Sequence, residues 1–260
     1  PTPKLDFKNQ AEMIRPAVDG IRRVLTASRD AGVKRVVLTS AYGAVFAGHK
    51  NRTTPYTEED WSDLNWKAIH PYQESKTRAE LAAWDFINHD GHGLELTTVN
   101  PVAVMGPVLS AKYSHSNIQI QQFLAGQVNA VPNVDSGYVD VRDVASLHLL
   151  AMTAPQANGE RFLATTGETL SMLDVANILR QAFPDFASQL PTKTIPNAVV
   201  KLAAKARPTL RMVASLVGTY AETSNHKAQT LLDWHPRPAA ESIIATAQSM
   251  IDLGIVTKPQ

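Results

Sequence analysis

The sequence predicts an α/β fold built around a parallel sheet, followed by a smaller lobe that is mostly helical. Three observations lead to this prediction. Short runs rich in β-branched residues alternate with longer segments that have helical periodicity. One of these runs, residues 33–40, is apolar over much of its length, as expected of a strand buried on both faces. Beyond residue 164, helical patterns follow one another with few strand signals between them.

The first half of the chain has clear signals for where helices and strands begin and end. Apolar residues recur at helical spacing as far as Ala31, and Gly32 then ends the helix. Pro16 predicts that this helix starts near it or bends there. Pro71 suits the first turn of the next helix, and Pro101 marks the carboxyl end of the following strand. The predicted elements are a helix over 9–31, a strand over 33–40, a helix over 71–88 and a strand over 94–99.

The second half continues the alternation and then becomes helical. A helix over 118–124, an extended segment over 138–141, a helix over 143–152 and a strand over 161–164 are predicted from apolar periodicity. In the tail, the same pattern predicts helices over 171–182, 197–204, 224–232 and 239–253. The division that follows is one domain over 1–155, with an insertion near 108–137, and a second lobe over 156–260.

The composition excludes several classes of function. With 25 basic and 24 acidic residues, the chain has no excess charge to attract nucleic acid or an anionic membrane. No apolar run reaches the roughly 18 residues of a membrane span. The absence of cysteine excludes disulfides and thiolate catalysis, and it fits a cytoplasmic protein. His89 and His92 have no third ligand near them, so no metal site is predicted. Nothing in the sequence indicates an oligomeric state.

Tyr72 and Lys76 are the strongest candidates for chemistry. They stand four residues apart on the predicted helix from Pro71, so both side chains lie on one face, one turn apart. A free phenol has a pKa of about 10 and is a poor acid or base near pH 7. A nearby ammonium stabilises the phenolate and lowers that pKa. Such a pair exchanges a proton with a carbonyl or alcohol oxygen. On spacing alone, a pair on a solvent-facing helix is the more ordinary interpretation.

Hydroxyl groups stand where a ligand is expected in this kind of sheet. The first predicted strand ends in Thr39 and Ser40, and ligands bind at the carboxyl ends of parallel strands. A hydroxyl there can hydrogen-bond a substrate oxygen, although it can equally satisfy local backbone groups. The second strand ends at Pro101, which has no N–H, so the chain leaves the sheet there and can pass close to a ligand.

Five motifs, in order, are similar to those of one family. They are residues 33–40 (VKRVVLTS), 56–63 (YTEEDWSD), 72–80 (YQESKTRAE), 98–107 (TVNPVAVMGP) and 138–145 (YVDVRDVA). The chain resembles the extended short-chain dehydrogenases/reductases of the NAD-dependent epimerase/dehydratase family. The likeness is to the branch that holds dihydroflavonol reductase, cinnamoyl-CoA reductase and microbial aldehyde or ketone reductases. It implies a Rossmann-like, doubly wound parallel sheet that binds NADP or NAD.

The resemblance also implies roles for particular residues. Tyr72 is the expected acid/base, and Lys76 both lowers its pKa and binds the nicotinamide ribose. Ser40 is the expected third catalytic group. The expected contacts of the cofactor are Thr39, Tyr72, Lys76, Pro101, Val102 and Val104. The candidates for substrate contacts are Ala41, Tyr42, Ser116 and Gln119.

Two departures from the family pattern affect these expectations. Many relatives carry a second serine, which supplies the catalytic hydroxyl, where this chain has Ala41. Ser40, Thr39 or a residue outside the motif must then supply it. The family also opens with a strand and a glycine-rich phosphate turn, and no Gly-x-x-Gly-x-x-Gly occurs here. We therefore expect residues 1–155 to be a cofactor-binding domain that lacks its first strands, and residues 156–260 to be the substrate-binding lobe.

The function that this sequence predicts is reduction of a small aldehyde or ketone by NADPH or NADH. A nucleotide-sugar epimerase or dehydratase is the first alternative, and the basic cluster of Lys201, Lys205, Arg207 and Arg211 would suit a diphosphate. A non-catalytic module that senses NAD(P), or an inactive fragment, is the second. Ala41 and the missing phosphate turn favour that second alternative, whereas the intact Tyr72 and Lys76 oppose it.

Overall fold

The computed structural model describes residues 11–49, 52–207 and 210–258. They form two compact units, and each unit draws on separate segments of the chain. The first consists of the described residues up to 102 together with 145–164 and 224–234; the second holds 103–144, 165–223 and the described residues from 235. The border that the sequence predicts at residue 155 does not coincide with this division, because 156–164 and 224–234 belong to the first unit.

The first unit is built on three parallel strands, which confirms the predicted α/β class. They are β1 (Arg35–Thr39), β2 (Glu95–Pro101) and β6 (Arg161–Ala164), with β2 in the middle. The interior of β2 is fully buried, as its place between two other strands requires. β1 is only half-buried, so the prediction of a strand buried on both faces is wrong for it. Among the described residues it pairs with β2 alone, which leaves its other edge open.

Two long helices pack together in this unit. They are α1 (Ala11–Asp30) and α2 (Pro71–Asp90). Leu25, Phe86 and Leu96 belong to the apolar core that they share with the sheet. Truncation of a fully buried leucine such as Leu25 to alanine costs about 2–5 kcal/mol. Pro16 lies inside α1, so the helix does not begin there; the predicted start at residue 9 lies outside the described residues.

The rest of the first unit comes from later segments. Helix α4 (Val141–Thr153) ends above Arg35, whose guanidinium donates to the carbonyl oxygens of Ala151 and Ala154 at 2.9 and 2.6 Å. A cation at this position stabilises the negative end of the helix dipole. Helix α8 (His226–Leu232) packs on β6. The sequence predicted each of these helices within about two residues.

The second unit has short strands around a helical core. Its helices are α3 (His115–Leu124), α5 (Met172–Ala182), α6 (Asn197–Ala206), α7 (Arg211–Leu216) and α9 (Ala239–Asp252). Its strands are β3 (Ala103–Met105), β4 (Ala130–Pro132), β5 (Asp135–Asp140), β7 (Thr169–Ser171) and β8 (Lys193–Ile195). The sequence missed α7 and all of these strands except β5. Four of the five have only three residues, which is too short for a periodic pattern. None of the described helices is long and apolar enough to cross a bilayer.

Candidate active site

The amino end of α2 is fixed by a reciprocal cap. The His70 side chain accepts a hydrogen bond from the Tyr72 N–H at 3.2 Å, and Gln73 Oε1 accepts one from the His70 N–H at 3.1 Å. Pro71 occupies the first helical position, where its missing N–H has no cost. This cap defines the backbone position of Tyr72 in the first turn, where the helix dipole favours negative charge.

The turn that follows β1 packs directly against the Tyr72 ring. This turn is a short 3₁₀ helix, Tyr42–Ala44. A Cβ atom added at Gly43 would lie 3.3 Å from Cε1 of Tyr72 and 3.7 Å from Cα of Gln73. The absence of a side chain at Gly43 therefore allows the turn and α2 to approach this closely. No signal in the sequence indicates this contact, since a long polar loop separates Gly43 from Tyr72.

The polar groups of Tyr72 and Lys76 both lack a partner among the described residues. Both side chains are half-buried, and neither the Tyr72 hydroxyl nor the Lys76 ammonium makes a hydrogen bond or ion pair with another described residue. Burial raises the pKa of Tyr72. Burial lowers the pKa of Lys76, and the Glu80 carboxylate opposes that shift. The expected lowering of the Tyr72 pKa by Lys76 is not seen in the cofactor-free protein, where burial makes the phenol a weaker acid.

Ser40 is placed differently from the other two predicted catalytic residues. It is buried, its N–H donates to the Val99 carbonyl at 2.8 Å, and its hydroxyl donates to Oε2 of Glu80. A hydroxyl has one proton, so Ser40 in this arrangement has none left to donate to a substrate oxygen. The predicted role of Ser40 would require that hydrogen bond to break.

The Glu80 carboxylate accepts hydrogen bonds from side chains of several strands. Its oxygens lie 3.1 Å from Oγ1 of Thr98, 2.7 Å from Nδ2 of Asn100 and 2.7 Å from Nε of Arg161. The side chain of Glu80 is completely buried, and that of Arg161 is 9% exposed. Arg161 also donates to the Asp60 carbonyl at 2.9 Å. This cluster, which we call the Glu80 network (Ser40, Glu80, Thr98, Asn100 and Arg161), joins α2 to all three strands of the first unit.

The other residues predicted near the end of β1 have varied surroundings. Thr39 is exposed, and its hydroxyl lies 2.8 Å from Nε2 of His148. Ala41 is buried, and its carbonyl oxygen accepts from Nδ2 of Asn100 at 3.4 Å. The Tyr42 ring stacks on Phe46 with 4.6 Å between centroids. The Tyr42 hydroxyl is buried without a partner among the described residues, and this burial raises its pKa.

Pro101 and Val102 close the carboxyl end of β2. Pro101 is the last residue of the strand, as the sequence predicts, and pairs in register with Ala164. The Val102 N–H donates to the Ala164 carbonyl at 3.2 Å, and the Val102 side chain is buried. Pro101 is half-buried and keeps some exposed surface for a ligand.

The remaining predicted residues lie in the second unit. Val104 on β3 lines a cavity of about 320 Å³, whose walls are residues 104–110 and 112–114 with Asn117 and Val141. Neither Ser116 nor Gln119 is part of this wall. Gln119 Nε2 is instead buried without a partner among the described residues. Asn117, which lies between the two predicted residues, is buried, and its Oδ1 has no partner among the described residues.

Hydroxyl groups of α9 hold the wall of this cavity. The Gly106 N–H donates to Oγ1 of Thr246 at 2.7 Å, and the Thr246 hydroxyl lies 3.1 Å from the Gly106 carbonyl. The Val108 N–H donates to Oγ of Ser249 at 2.9 Å. Gly106 has a φ of +114°, a conformation that favours glycine, and a Cβ there would lie 3.0 Å from Oδ1 of Asp140.

The residues present suit one part of a nicotinamide cofactor. The Lys76 ammonium is a cation with three donors and no partner, which suits the hydroxyls of a ribose. The Tyr72 hydroxyl beside it on the helix is also free. The sequence contains no Gly-x-x-Gly-x-x-Gly turn for a pyrophosphate. The fit therefore concerns the nicotinamide ribose and not the phosphates.

Comparison with known proteins identifies the family. Residues 1–164 match the model of the NAD dependent epimerase/dehydratase family. The chain belongs to this family, as its motifs predicted.

Reductases are among the relatives of this chain. It is 39% identical over 184 residues to cinnamoyl-CoA reductase 2 of Arabidopsis thaliana. That alignment covers 70% of this chain and 54% of the relative. The chain is 30% identical over 261 residues to NADPH-dependent methylglyoxal reductase GRE2 of Saccharomyces cerevisiae, which covers 94% of this chain and 72% of that one. The chain thus spans about half the length of the cinnamoyl-CoA reductases that it matches.

Solved structures agree with the fold. The yeast methylglyoxal/isovaleraldehyde reductase Gre2 complexed with NADPH superimposes with a TM-score of 0.79 at 29% identity, over 98% of this chain and 75% of that one. Gre2 from Candida albicans in complex with NADPH gives a TM-score of 0.78 at 26% identity, over 97% and 75%. The predicted Rossmann-like α/β fold is confirmed.

Proposed function

We propose that this member of the NAD dependent epimerase/dehydratase family is an NAD(P)H-dependent oxidoreductase that reduces small aldehydes or ketones. The observation that carries the proposal is the state of Tyr72 and Lys76. A proton donor and a cation stand one turn apart on α2, both half-buried and both without partners among the described residues. Polar groups that lose water without gaining a partner destabilise the fold, so such a pair indicates a ligand site.

The chemistry assigned to these residues is proton donation and charge stabilisation. When bound, the reduced nicotinamide supplies the hydride that attacks the carbonyl carbon. Tyr72 donates its phenolic proton to the carbonyl oxygen, so that the C=O bond becomes CH–OH. The phenolate that remains is stabilised by the Lys76 ammonium and by the amino end of α2. Burial raises the pKa of Tyr72 in the cofactor-free protein, so the phenol is protonated at neutral pH and its strength as an acid depends on the nearby charge of Lys76.

The relatives support the choice of cofactor and substrate class. The name of the yeast relative specifies NADPH and methylglyoxal, and two Gre2 structures contain NADPH. By this likeness we propose NADPH as the preferred cofactor, with NADH as the comparison, and a small carbonyl compound as substrate. Lys76, Thr39, Pro101, Val102 and Val104 remain the proposed cofactor contacts. A cytoplasmic location is part of the same proposal.

Tyr72→Phe tests the assignment. The assay follows NADPH and NADH oxidation with a panel of small aldehydes and ketones, using both this chain and the longest gene product that contains it. We expect the variant to lose at least about 100-fold in kcat/KM, because general acid catalysis contributes 10²–10⁴-fold, while cofactor affinity changes little. Tyr220→Phe, which removes a hydroxyl bound to Glu222, is the matched control and should stay active. Retained turnover in Tyr72→Phe contradicts the proposal.

Neither alternative has a specific observation in its favour. The structure of a UDP-glucose 4-epimerase from Thermotoga maritima aligns at 21% identity, which is evidence for the fold alone. Lys201 and Lys205 of the basic cluster are exposed on α6, as a solvated helix face would be. An NAD molecule that copurifies and is regenerated would support an epimerase or dehydratase. Cofactor binding without any carbonyl reduction would support a sensing module.

A further inference from the structure

We propose that Glu80 is a positioning residue for the reaction: its buried carboxylate, paired with Arg161, fixes the face of α2 that carries Tyr72 and Lys76 on the strand ends. This inference rests on the proposed function, because it assigns a role in the chemistry of Tyr72 and Lys76. Glu80 belongs to one of the sequence motifs, yet the sequence gave it no role.

Helical spacing places Glu80 in line with the proposed catalytic pair. Tyr72, Lys76 and Glu80 are successive members of one i, i+4, i+8 stripe on α2. The stripe runs from the half-buried phenol and ammonium to a completely buried carboxylate. A single helix therefore carries an acid, a cation and an anion at one-turn intervals, and a rotation or shift of α2 would move all three together.

The partners of Glu80 come from every strand of the first unit. Ser40 follows β1, Thr98 and Asn100 belong to β2, and Arg161 begins β6. A carboxylate that accepts four side-chain donors has all its lone pairs engaged. Such a network has one favourable geometry, so it fixes the register of α2 against the sheet.

The charge on Glu80 also acts on Lys76. Burial lowers the pKa of the Lys76 ammonium, and Glu80 is the one charged group that opposes this shift. Without the carboxylate, the half-buried lysine would lose its proton more readily. Arg161 holds the Glu80 charge in the core, since an unpaired buried carboxylate would be strongly unfavourable.

The charged groups around this stripe are few among the described residues. From α2 itself, Lys76 faces Glu80; from β6, Arg161 does so. The strands β1 and β2 contribute neutral donors alone. The loop before α2 reaches the network through the backbone carbonyls of Glu58 and Asp60, which accept from Arg161, and through the buried Glu58 carboxylate, which interacts with the Arg161 charge. Helix α1 pairs Arg22 with Asp85, further along α2 than Glu80.

The decisive experiment measures the titration of Lys76 directly, in the cofactor-free protein. Reductive methylation with ¹³C formaldehyde gives each lysine a dimethylamino signal, and Lys76→Arg identifies the one from Lys76. In Glu80→Gln the Lys76 signal should titrate about one pH unit lower than in the wild type. The alkaline limb of kcat/KM should move in the same direction, because loss of a negative charge eases deprotonation of both Lys76 and Tyr72.

Two further variants separate this role from a structural one. Glu80→Gln leaves Arg161 buried and unpaired, so Glu80→Gln/Arg161→Met removes both charges and gives a core that should fold. It should still lower the pH at which Lys76 titrates, by less than Glu80→Gln does, because a positive charge is lost as well. Thr98→Val removes a neutral donor to Glu80, so it should lower the melting temperature and leave both titrations unchanged.

The possible results are distinct. If Lys76 titrates as in the wild type in both Glu80→Gln and the double variant, Glu80 is a structural residue only and the inference is overturned. That result leaves the proposed function intact as long as Tyr72→Phe is inactive. If the wild type reduces no carbonyl compound, or Tyr72→Phe keeps its activity, the proposed function itself fails, whatever the Lys76 titration shows.

Discussion

Polar side chains in the first two turns of α2 have different surroundings from the polar side chain in its third turn. Tyr72 and Lys76 are half-buried and have no partners among the described residues, whereas Glu80 is completely buried and has four. Free polar heads lower stability and are available to a ligand, while a satisfied network stabilises and does not move. Within about two turns, α2 therefore carries two side chains that are available to a ligand and one that is fixed by its hydrogen bonds. Substitutions at Tyr72 and Lys76 should therefore act mainly on activity, and those in the Glu80 network mainly on stability.

The largest effect is expected from Lys76→Met. The variant should lose about 100-fold or more in kcat/KM, because it removes the cation that stabilises the phenolate. Its stability should stay equal or rise, since burial lowers the pKa of Lys76 and so disfavours its charged form in the folded protein. Activity assays and urea unfolding measure the two quantities. A variant that unfolds at lower urea concentration would mean that Lys76 is part of the rigid region.

Arg161→Met should have the reverse profile. It leaves the Glu80 carboxylate buried without its cation, which costs about 3–5 kcal/mol of unfolding free energy. Arg78→Met is the control, because the exposed Arg78–Glu74 pair contributes at most about 1 kcal/mol. Urea unfolding at pH 7 measures both. Similar losses of unfolding free energy for the two variants would show that the buried Arg161–Glu80 pair stabilises the fold no more than the Arg78–Glu74 pair does.

Gly43→Ala tests how strongly the reaction depends on the position of the Tyr72 ring, which packs against the turn that contains Gly43. The new Cβ would lie 3.3 Å from the Tyr72 ring, so the ring has to move by a few tenths of an ångström. We expect kcat to fall by less than about tenfold, given that a 1 Å displacement costs about 10²-fold. Gly20→Ala in α1 is the control: nothing lies within 4 Å of its Cβ, and it should stabilise by about 0.5–1 kcal/mol. An unchanged kcat in Gly43→Ala would mean that the Tyr72 ring adapts freely.

The smallest effect concerns the cap of α2 and pH. Burial lowers the pKa of His70, so the unfolded chain binds a proton more readily than the folded one. The stability from this cap is complete above the unfolded pKa of about 6.5 and is lost as the pH falls towards the lower folded pKa. His70→Asn keeps a capping group that does not titrate. The melting temperature of the wild type should therefore fall more steeply below pH 6.5, by an amount equal to about 1 kcal/mol. Parallel curves would exclude His70 as the cause.

The sequence indicated the Tyr72–Lys76 pair more clearly than the Glu80 network. Helix α2 could be found from Pro71 and its apolar pattern, and the pair from the motif over 72–80, because both signals are local. The partners of Glu80 are separated from it by 40 residues at Ser40 and 81 at Arg161. The one available signal was a set of polar residues inside buried strands: Thr98, Asn100 and Arg161. Such residues need partners, but a sequence does not say which.

Ser40 illustrates the same limit. Its position at the end of β1 could be read from the strand pattern, and the structure places it there, directly after Thr39. The direction of its hydroxyl depends on Glu80, which arrives from another element. The three-residue strands of the second unit are a further case. They form because distant segments meet, as in the pairing of Val131 with Thr194, and not because of a local preference.

The segmented build of the first unit has a consequence for synthesis on the ribosome. Its last piece, residues 224–234, closes it: the Ser224 N–H donates to the Tyr56 carbonyl at 2.9 Å, and Trp234 donates to Ser146 at 3.2 Å. At the usual rates of translation, that piece emerges roughly 10–30 s after Tyr72. The nascent sheet and its helices must wait for this interval with apolar surface uncovered. A chaperone that binds the growing chain would protect it during that time.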